Sequence, residues 1–164
     1  MEFSDLNTLR NQVIRWKADG KKIVFTNGVF DILHLGHVRY LQEARGLGDK
    51  LVVGINDDAS VKRLNKGPER PIHEEQARAG VIDGLRSVDA VIIFTDDTPA
   101  ILIETIQPDI LVKGGDYDAQ ETDPLSKRYV VGSTETLERG GKVVCIPLVA
   151  GYSTTNAVDK IKKQ

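Results

Sequence analysis

Five short runs of almost unbroken apolar residues constrain this chain more than any other feature: KKIVFT, KLVVGIN, DAVIIF, DILVKG and KVVCIP. Each is of strand length, and a stretch with helical periodicity separates each from the next. Strands that are apolar on both sides belong in a parallel sheet whose two faces are covered. Regular alternation of strand and helix builds such a sheet through crossover connections. The pattern predicts an α/β domain with a doubly wound, mostly parallel five-stranded sheet and helices on both faces. One domain accounts for residues 1–164, with an N-terminal helix in 1–20 and the core in 21–164.

The helical stretches carry their own signals. In SDLNTLRNQVIRWKADG, Ser4 or Asp5 can cap the start, Leu6, Leu9, Val13 and Ile14 share a face, and Gly20 can end the helix. Further helices are expected from about Gly36 to Ala44, in DDASVKRLN with Asp57 and Asp58 as caps, in HEEQARAGVIDGLR, in TPAILIETI, after the long loop that follows VKGGDY, and in STTNAVDKIKK. Two prolines and a glycine make KGPERPI a loop.

Composition excludes several classes. A net charge of −2 with both signs interspersed does not suit a polyanion such as nucleic acid as the main partner. The single cysteine, Cys145, sits in a strand and reads as a core thiol, which suits a reducing compartment. No run approaches the ~18 apolar residues of a membrane helix, and MEFSDLNTLR does not resemble a secretory signal. A cytoplasmic protein with no membrane partner is expected. Apolar positions on the helix Ile101–Ile106, or in the long segment that follows VKGGDY, leave room for a homo-oligomer.

In doubly wound sheets, ligands bind beyond the carboxyl ends of the strands. After KKIVFT come Asn27, Gly28, Val29, Phe30 and Asp31, and then HLGH, which places two of the chain's three histidines three residues apart at a helix start. Both imidazoles then face one way, beside unpaired N–H groups and the positive end of the helix dipole. This is an anion site, and it fits phosphate. Zinc does not fit, since HLGH lacks the acid and spacing of HExxH, and neither a P-loop nor GxGxxG occurs. Asp31 can orient a histidine or the loop, or form a turn bond. VKRLNKGPERP places Lys62, Arg63, Lys66 and Arg70 after the second strand, where a phosphate ester needs cations. After the fourth strand, Lys113, Gly115, Asp116 and Tyr117 permit close approach, a polar contact and ring packing. Near the C-terminus, Gly151, Ser153, Thr154 and Thr155 form a second helix start suited to phosphate.

GVFDILHLGH resembles the HxGH signature of the cytidylyltransferase-like nucleotidyltransferases, and GYSTTNAVDKI resembles their ISTT box. The stretches VGINDDASVKRLNKGPERPI and DDTPAILIETIQPDILVKGGDY, with YSTTN, are similar to the D-glycero-β-D-manno-heptose 1-phosphate adenylyltransferase branch, over roughly Lys21 to Lys162, without an attached sugar kinase. The resemblance implies the Rossmann-like HxGH nucleotidyltransferase fold and transfer of AMP from ATP to a sugar 1-phosphate for ADP-heptose synthesis. It implies that His34 and His37 are catalytic, and it sets Arg63 at the family's phosphate-binding lysine position. Mg²⁺ would bind through the phosphates, with no protein ligand. Asn27 to Phe30, Lys113, Gly115, Asp116, Tyr117 and the Gly151–Thr155 box would hold the nucleotide, and Asp31, Lys66 and Arg70 the acceptor. Two departures stand out. The segment after VKGGDY is longer than the branch leads one to expect, and PLVAGYSTT has Leu148 near where the glycerol-3-phosphate cytidylyltransferases carry a basic residue. That branch, a flavin-type adenylyltransferase and a non-catalytic nucleotide sensor are the rival expectations.

Overall fold

The structure is a computed structural model that describes residues 3, 5–64, 67 and 69–163. Five strands form one sheet: β1 (Ile23–Gly28), β2 (Lys50–Asn56), β3 (Ala90–Phe94), β4 (Ile110–Gly114) and β5 (Lys142–Ile146). Their spatial order is β3-β2-β1-β4-β5, and every pairing is parallel. The mostly parallel expectation is therefore met in full. Strand order reverses between β1 and β4, which opens a crevice at their carboxyl ends.

The helices are α1 (Leu6–Ala18), α2 (Leu35–Gly46), α3 (Asp58–Arg63), α4 (Glu75–Asp83), α5 (Ala100–Ile106), α6 (Ser133–Glu138) and α7 (Thr154–Lys162). Side chains alternate across each strand, so neighbours feed opposite cores. Ile23 and Phe25 pack with Leu9, Val13, Leu102 and Ile103 of α1 and α5. Val24, Leu51 and Val53 pack with Leu41, Ala44, Ala79 and Ile82 of α2 and α4 on the other face. Both faces are covered, which is why these strands read as continuous apolar runs.

The caps follow from sequence. Asp5 accepts from the amides of Asn7 and Thr8 at α1, and Gly20 takes φ +73° just beyond its end. The alternative cap, Ser4, lies outside the described residues. Asp57 caps α3 by accepting from the Ser60 amide. Two local expectations are corrected. Ile14 is half exposed, whereas Leu9 and Val13 are buried, because Ile14 lies about 140° round the helix from Leu9 at 100° per residue. Cys145 is only partly buried on the edge strand β5.

Candidate active site

The crevice beyond β1 and β4 holds a cleft of about 370 Å³. Its walls come from four places in the chain: the loop after β1, the start of α2, the end of β4, and the start of α7 with the turn before it. Arg70 enters from the loop between α3 and α4.

His34 is the N-cap of α2, with extended backbone, and its Nδ1 accepts from the His37 amide at 3.4 Å. That bond leaves the Nε2–H of His34 as its donor to a ligand. The His37 ring stacks on His34 at 3.7 Å between centroids and 17° between planes, and meets Phe30 edge-on. The pair is therefore both cap and cleft wall. Gly36 between them is dictated by space: a Cβ there would meet the His34 ring at 3.0 Å and Tyr152 at 3.2 Å. Burial lowers both imidazole pKa values; for His37 the positive charge of His34 adds to burial and the value falls to about 4. The buried Nδ1 of His37 has no partner among the described residues. Without a ligand both rings are neutral at pH 7, and an adjacent polyphosphate draws them toward the charged form.

The loop that presents the pair is strained. Phe30 and Ile32 have φ of 49° and 52°, a region a β-branched residue avoids. Three anchors hold it. Thr154 Oγ1 donates to the Asp31 carbonyl at 2.6 Å. The buried Asp31 carboxylate accepts from the amides of Ile72 and His73 and from Arg70 Nε. Burial pushes that carboxyl up, but the two amides and Arg70 outweigh it and hold its pKa below the ordinary value. The third anchor is Arg78, fully buried on α4. Its guanidinium donates to the carbonyls of Val29, Asn56 and His73 and to Asp58 Oδ1.

The structure thus brings together most of the residues singled out in the sequence. Asn27, Gly28, Val29, Phe30, Asp31, His34, His37, Arg70, Lys113, Tyr117, Ser153, Thr154 and Thr155 all line the cleft. Lys113 donates to Asn27 Oδ1 at 2.7 Å and lies 5.3 Å from the centre of the Tyr117 ring. Ser153 caps α7 through the Asn156 amide. Gly115 and Gly151, with φ of 95° and 85°, shape turns behind the wall, and Asp116 is exposed off it. Arg63 also lies off the wall. Its guanidinium pairs with Asp97 and donates to the Thr95 carbonyl, because α3 turns this face toward the end of β3. Asp31 sits in the wall, but its carboxylate is committed to the loop rather than offered to a ligand. Lys66 lies outside the described residues.

Sequence reasoning missed Arg78, Tyr40, Val149 and Tyr152. An arginine on the apolar side of a helix pattern was the available signal for Arg78. Tyr40 is buried, bonds Thr26 at 2.6 Å, and has its hydroxyl pKa pushed up by burial. Gly114 is glycine because a Cβ would meet that ring at 3.0 Å.

Mg²⁺ needs several oxygen donors in a tight octahedron. Asp31 is the carboxylate on the cleft wall, and both its oxygens are already bonded. Among the described residues no group of three His, Cys, Asp or Glu could hold a metal. The donor set does not fit an ion caged by the protein.

A parallel sheet with a switch point at two phosphate-suited helix starts defines a class, and comparison with known proteins agrees. The chain belongs to the cytidylyltransferase-like family, whose model matches residues 25–157, and is a nucleotidyltransferase domain. It is 53% identical over 150 residues to the bifunctional protein HldE of Hyphomonas neptunium, covering 92% of this chain and 29% of that protein. It is 51% identical over 155 residues to the bifunctional protein HldE of Magnetococcus marinus, covering 94% and 30%. The chain thus spans less than a third of the length of these curated relatives. Among solved structures, the lipopolysaccharide core biosynthesis protein of Thermoplasma volcanium matches with a TM-score of 0.59 and 34% identity, over 79% of this chain and 98% of that one. Pantothenate synthetase of Thermus thermophilus shares the fold alone, with a TM-score of 0.60 and 18% identity over 98% and 69% of the two chains. No helix among the described residues is long and apolar enough to cross a membrane.

Proposed function

We propose that this domain transfers AMP from ATP to D-glycero-β-D-manno-heptose 1-phosphate, releasing pyrophosphate and leaving ADP-heptose. The observation that carries the reading is the stacked His34–His37 pair at one helix start, lining the same cleft as the Ser153–Thr155 helix start. It stands in a chain about half identical to bifunctional HldE proteins. The solved lipopolysaccharide core biosynthesis protein of Thermoplasma volcanium, 34% identical, supports the same reading.

The chemistry asks for positioning and charge rather than a base. A sugar 1-phosphate dianion is already a nucleophile near neutral pH. Its oxygen bonds to the α-phosphorus as the bond from that phosphorus to the bridging oxygen breaks, and the electron pair leaves on pyrophosphate. Bringing two anions together is the barrier, so preorganised donors supply most of the catalysis. His34 Nε2–H and His37 donate to the phosphates. The Ser153 hydroxyl and the free amides at the start of α7 bind from the other wall. Asn27, Lys113 and Tyr117 border the nucleoside, and Arg70 faces a phosphate. Mg²⁺ brought in with ATP would supply charge that offsets the phosphates, without a ligand from the protein.

The test is pyrophosphate release with Mg²⁺, pairing ATP or CTP with the heptose 1-phosphate or glycerol 3-phosphate. Turnover with ATP and the heptose phosphate alone is expected. Turnover only with CTP and glycerol phosphate overturns the assignment within the family. Silence in all four pairs rejects these acceptors.

A further inference from the structure

Of the described basic residues between Lys62 and Arg70, Arg70 alone reaches the cleft. Its burial is unusual for an arginine: it is 8% exposed. Its Nε donates to Asp31 Oδ2 at 2.8 Å, and no acceptor among the described residues is bonded to either Nη group. A guanidinium that buried is normally satisfied on all sides. Arg78, eight positions on, is the internal comparison: its Nε and both Nη groups are bonded to protein oxygens. The Nη groups of Arg70 are therefore turned toward the open volume, beside His37, whose pKa its charge helps to depress.

The group is fixed in place before any ligand arrives. Asp31 holds Nε, and the Asp31 carboxylate is itself held by the amides of Ile72 and His73. The Asp31 carbonyl accepts from Thr154 at the start of α7. One residue thereby links the arginine, the strained histidine loop and the second helix start. Two parallel N–H groups on a planar fork match two oxygens of one phosphate.

We propose that Arg70 is a phosphate-binding residue whose two Nη groups clamp one phosphate beside the histidine pair, and that Asp31 is its positioning residue rather than a substrate ligand. The proposal rests on the nucleotidyltransferase reading for the identity of the phosphate, which belongs either to ATP or to the acceptor. Holding the arginine and the histidine loop through one carboxylate also ties phosphate capture at Arg70 to the geometry of His34 and His37.

The variants are Arg70→Gln, which keeps an amide donor for Asp31 without the charge, Arg70→Lys, and Asp31→Asn. Arg139→Gln on the exposed end of α6 serves as a charge control. Calorimetric titration with inorganic pyrophosphate, with ATP and with the sugar 1-phosphate is read beside steady-state kinetics. Loss of a charge-assisted bidentate contact corresponds to about 10- to 100-fold in affinity. Arg70→Gln is expected to weaken at least one of the three ligands by that factor, and Arg70→Lys to recover part of it. Weakening of ATP and pyrophosphate assigns the clamp to the triphosphate; weakening of the sugar phosphate alone assigns it to the acceptor. Asp31→Asn is expected to lower kcat as well, because the histidine loop loses its anchor, while Arg139→Gln behaves as wild type. Arg70→Gln that folds and binds all three ligands within about twofold of wild type overturns the proposal. If wild type turns over none of the substrate pairs, the adenylyl-transfer reading fails, yet the pyrophosphate and ATP titrations still decide the role of Arg70. Should Arg70→Gln fail to fold, Arg70→Lys carries the same decision.

Discussion

His34 answers two demands with one ring, and the two can be separated. As N-cap its Nδ1 faces the His37 amide; as a ligand it offers Nε2–H. Asparagine is a good N-cap but a poor substitute for imidazole. His34→Asn is therefore expected to melt close to wild type while losing about 10²- to 10³-fold in kcat/KM, the usual effect of removing one oxyanion donor. A matched loss of Tm and activity in the folded fraction rejects the phosphate role. His37 sets a pH dependence. Its pKa falls from an ordinary 6.5 to about 4 on folding, so between those values the unfolded chain binds more protons than the native one. Stability is full above pH 6.5 and declines as pH falls toward 4. Asp31 is depressed below 3.8, so its contribution disappears only below that. Thermal melts across pH 4 to 7 are expected to show a slope that His37→Asn flattens. Bound ATP acts in the opposite sense, since phosphate favours the charged ring; nucleotide binding at pH 7 is expected to take up protons, seen as a dependence of binding heat on buffer ionisation enthalpy.

At the scale of elements, the start of α2 and the turn before α7 meet at Gly36. A methyl there has 3.0 Å to the His34 ring and 3.2 Å to Tyr152, so Gly36→Ala forces the ring or the turn aside. A displacement of this size at a positioned donor costs about 10- to 100-fold in kcat/KM, whereas Tm is expected to change little because the helix itself gains from alanine. The helix α4 reaches the site through Arg78. Removing its guanidinium leaves the carbonyls of Val29, Asn56 and His73 without these donors. Arg78→Met is expected to lose about 3–5 kcal/mol by urea denaturation, in line with breaking a buried charged network. A loss under 1 kcal/mol shows that water or relaxation replaces it.

On the whole molecule, the site joins segments far apart in the chain: the β1 loop, Arg70, the end of β4 and the start of α7. A ligand that bridges them stabilises the native state by its own binding, about 2.7 kcal/mol at a hundredfold excess over Kd. ATP or pyrophosphate is expected to raise Tm accordingly, and the increase vanishes if the cleft is not the site. Much of this was legible beforehand. The apolar runs KLVVGIN and DAVIIF specified a sheet buried on both faces, because only such strands do without a polar side, and HLGH and YSTT marked two helix starts because capping chemistry is local. What no linear pattern contains is which cation reaches the ligand. Arg63 and Arg70 both follow the second strand, and the resemblance favoured Arg63 as the phosphate cation, yet Arg63 pairs with Asp97 at the surface and Arg70 is locked by Asp31 within the wall. Arg78 and Tyr40 were hidden for the same reason: their partners lie 14 to 49 residues away, apart from nearby His73. Local chemistry determined the elements and the phosphate-facing ends. Burial and long-range pairing, which exist only once the sheet has closed its crossovers, decided which charges are spent on the fold and which face the cleft.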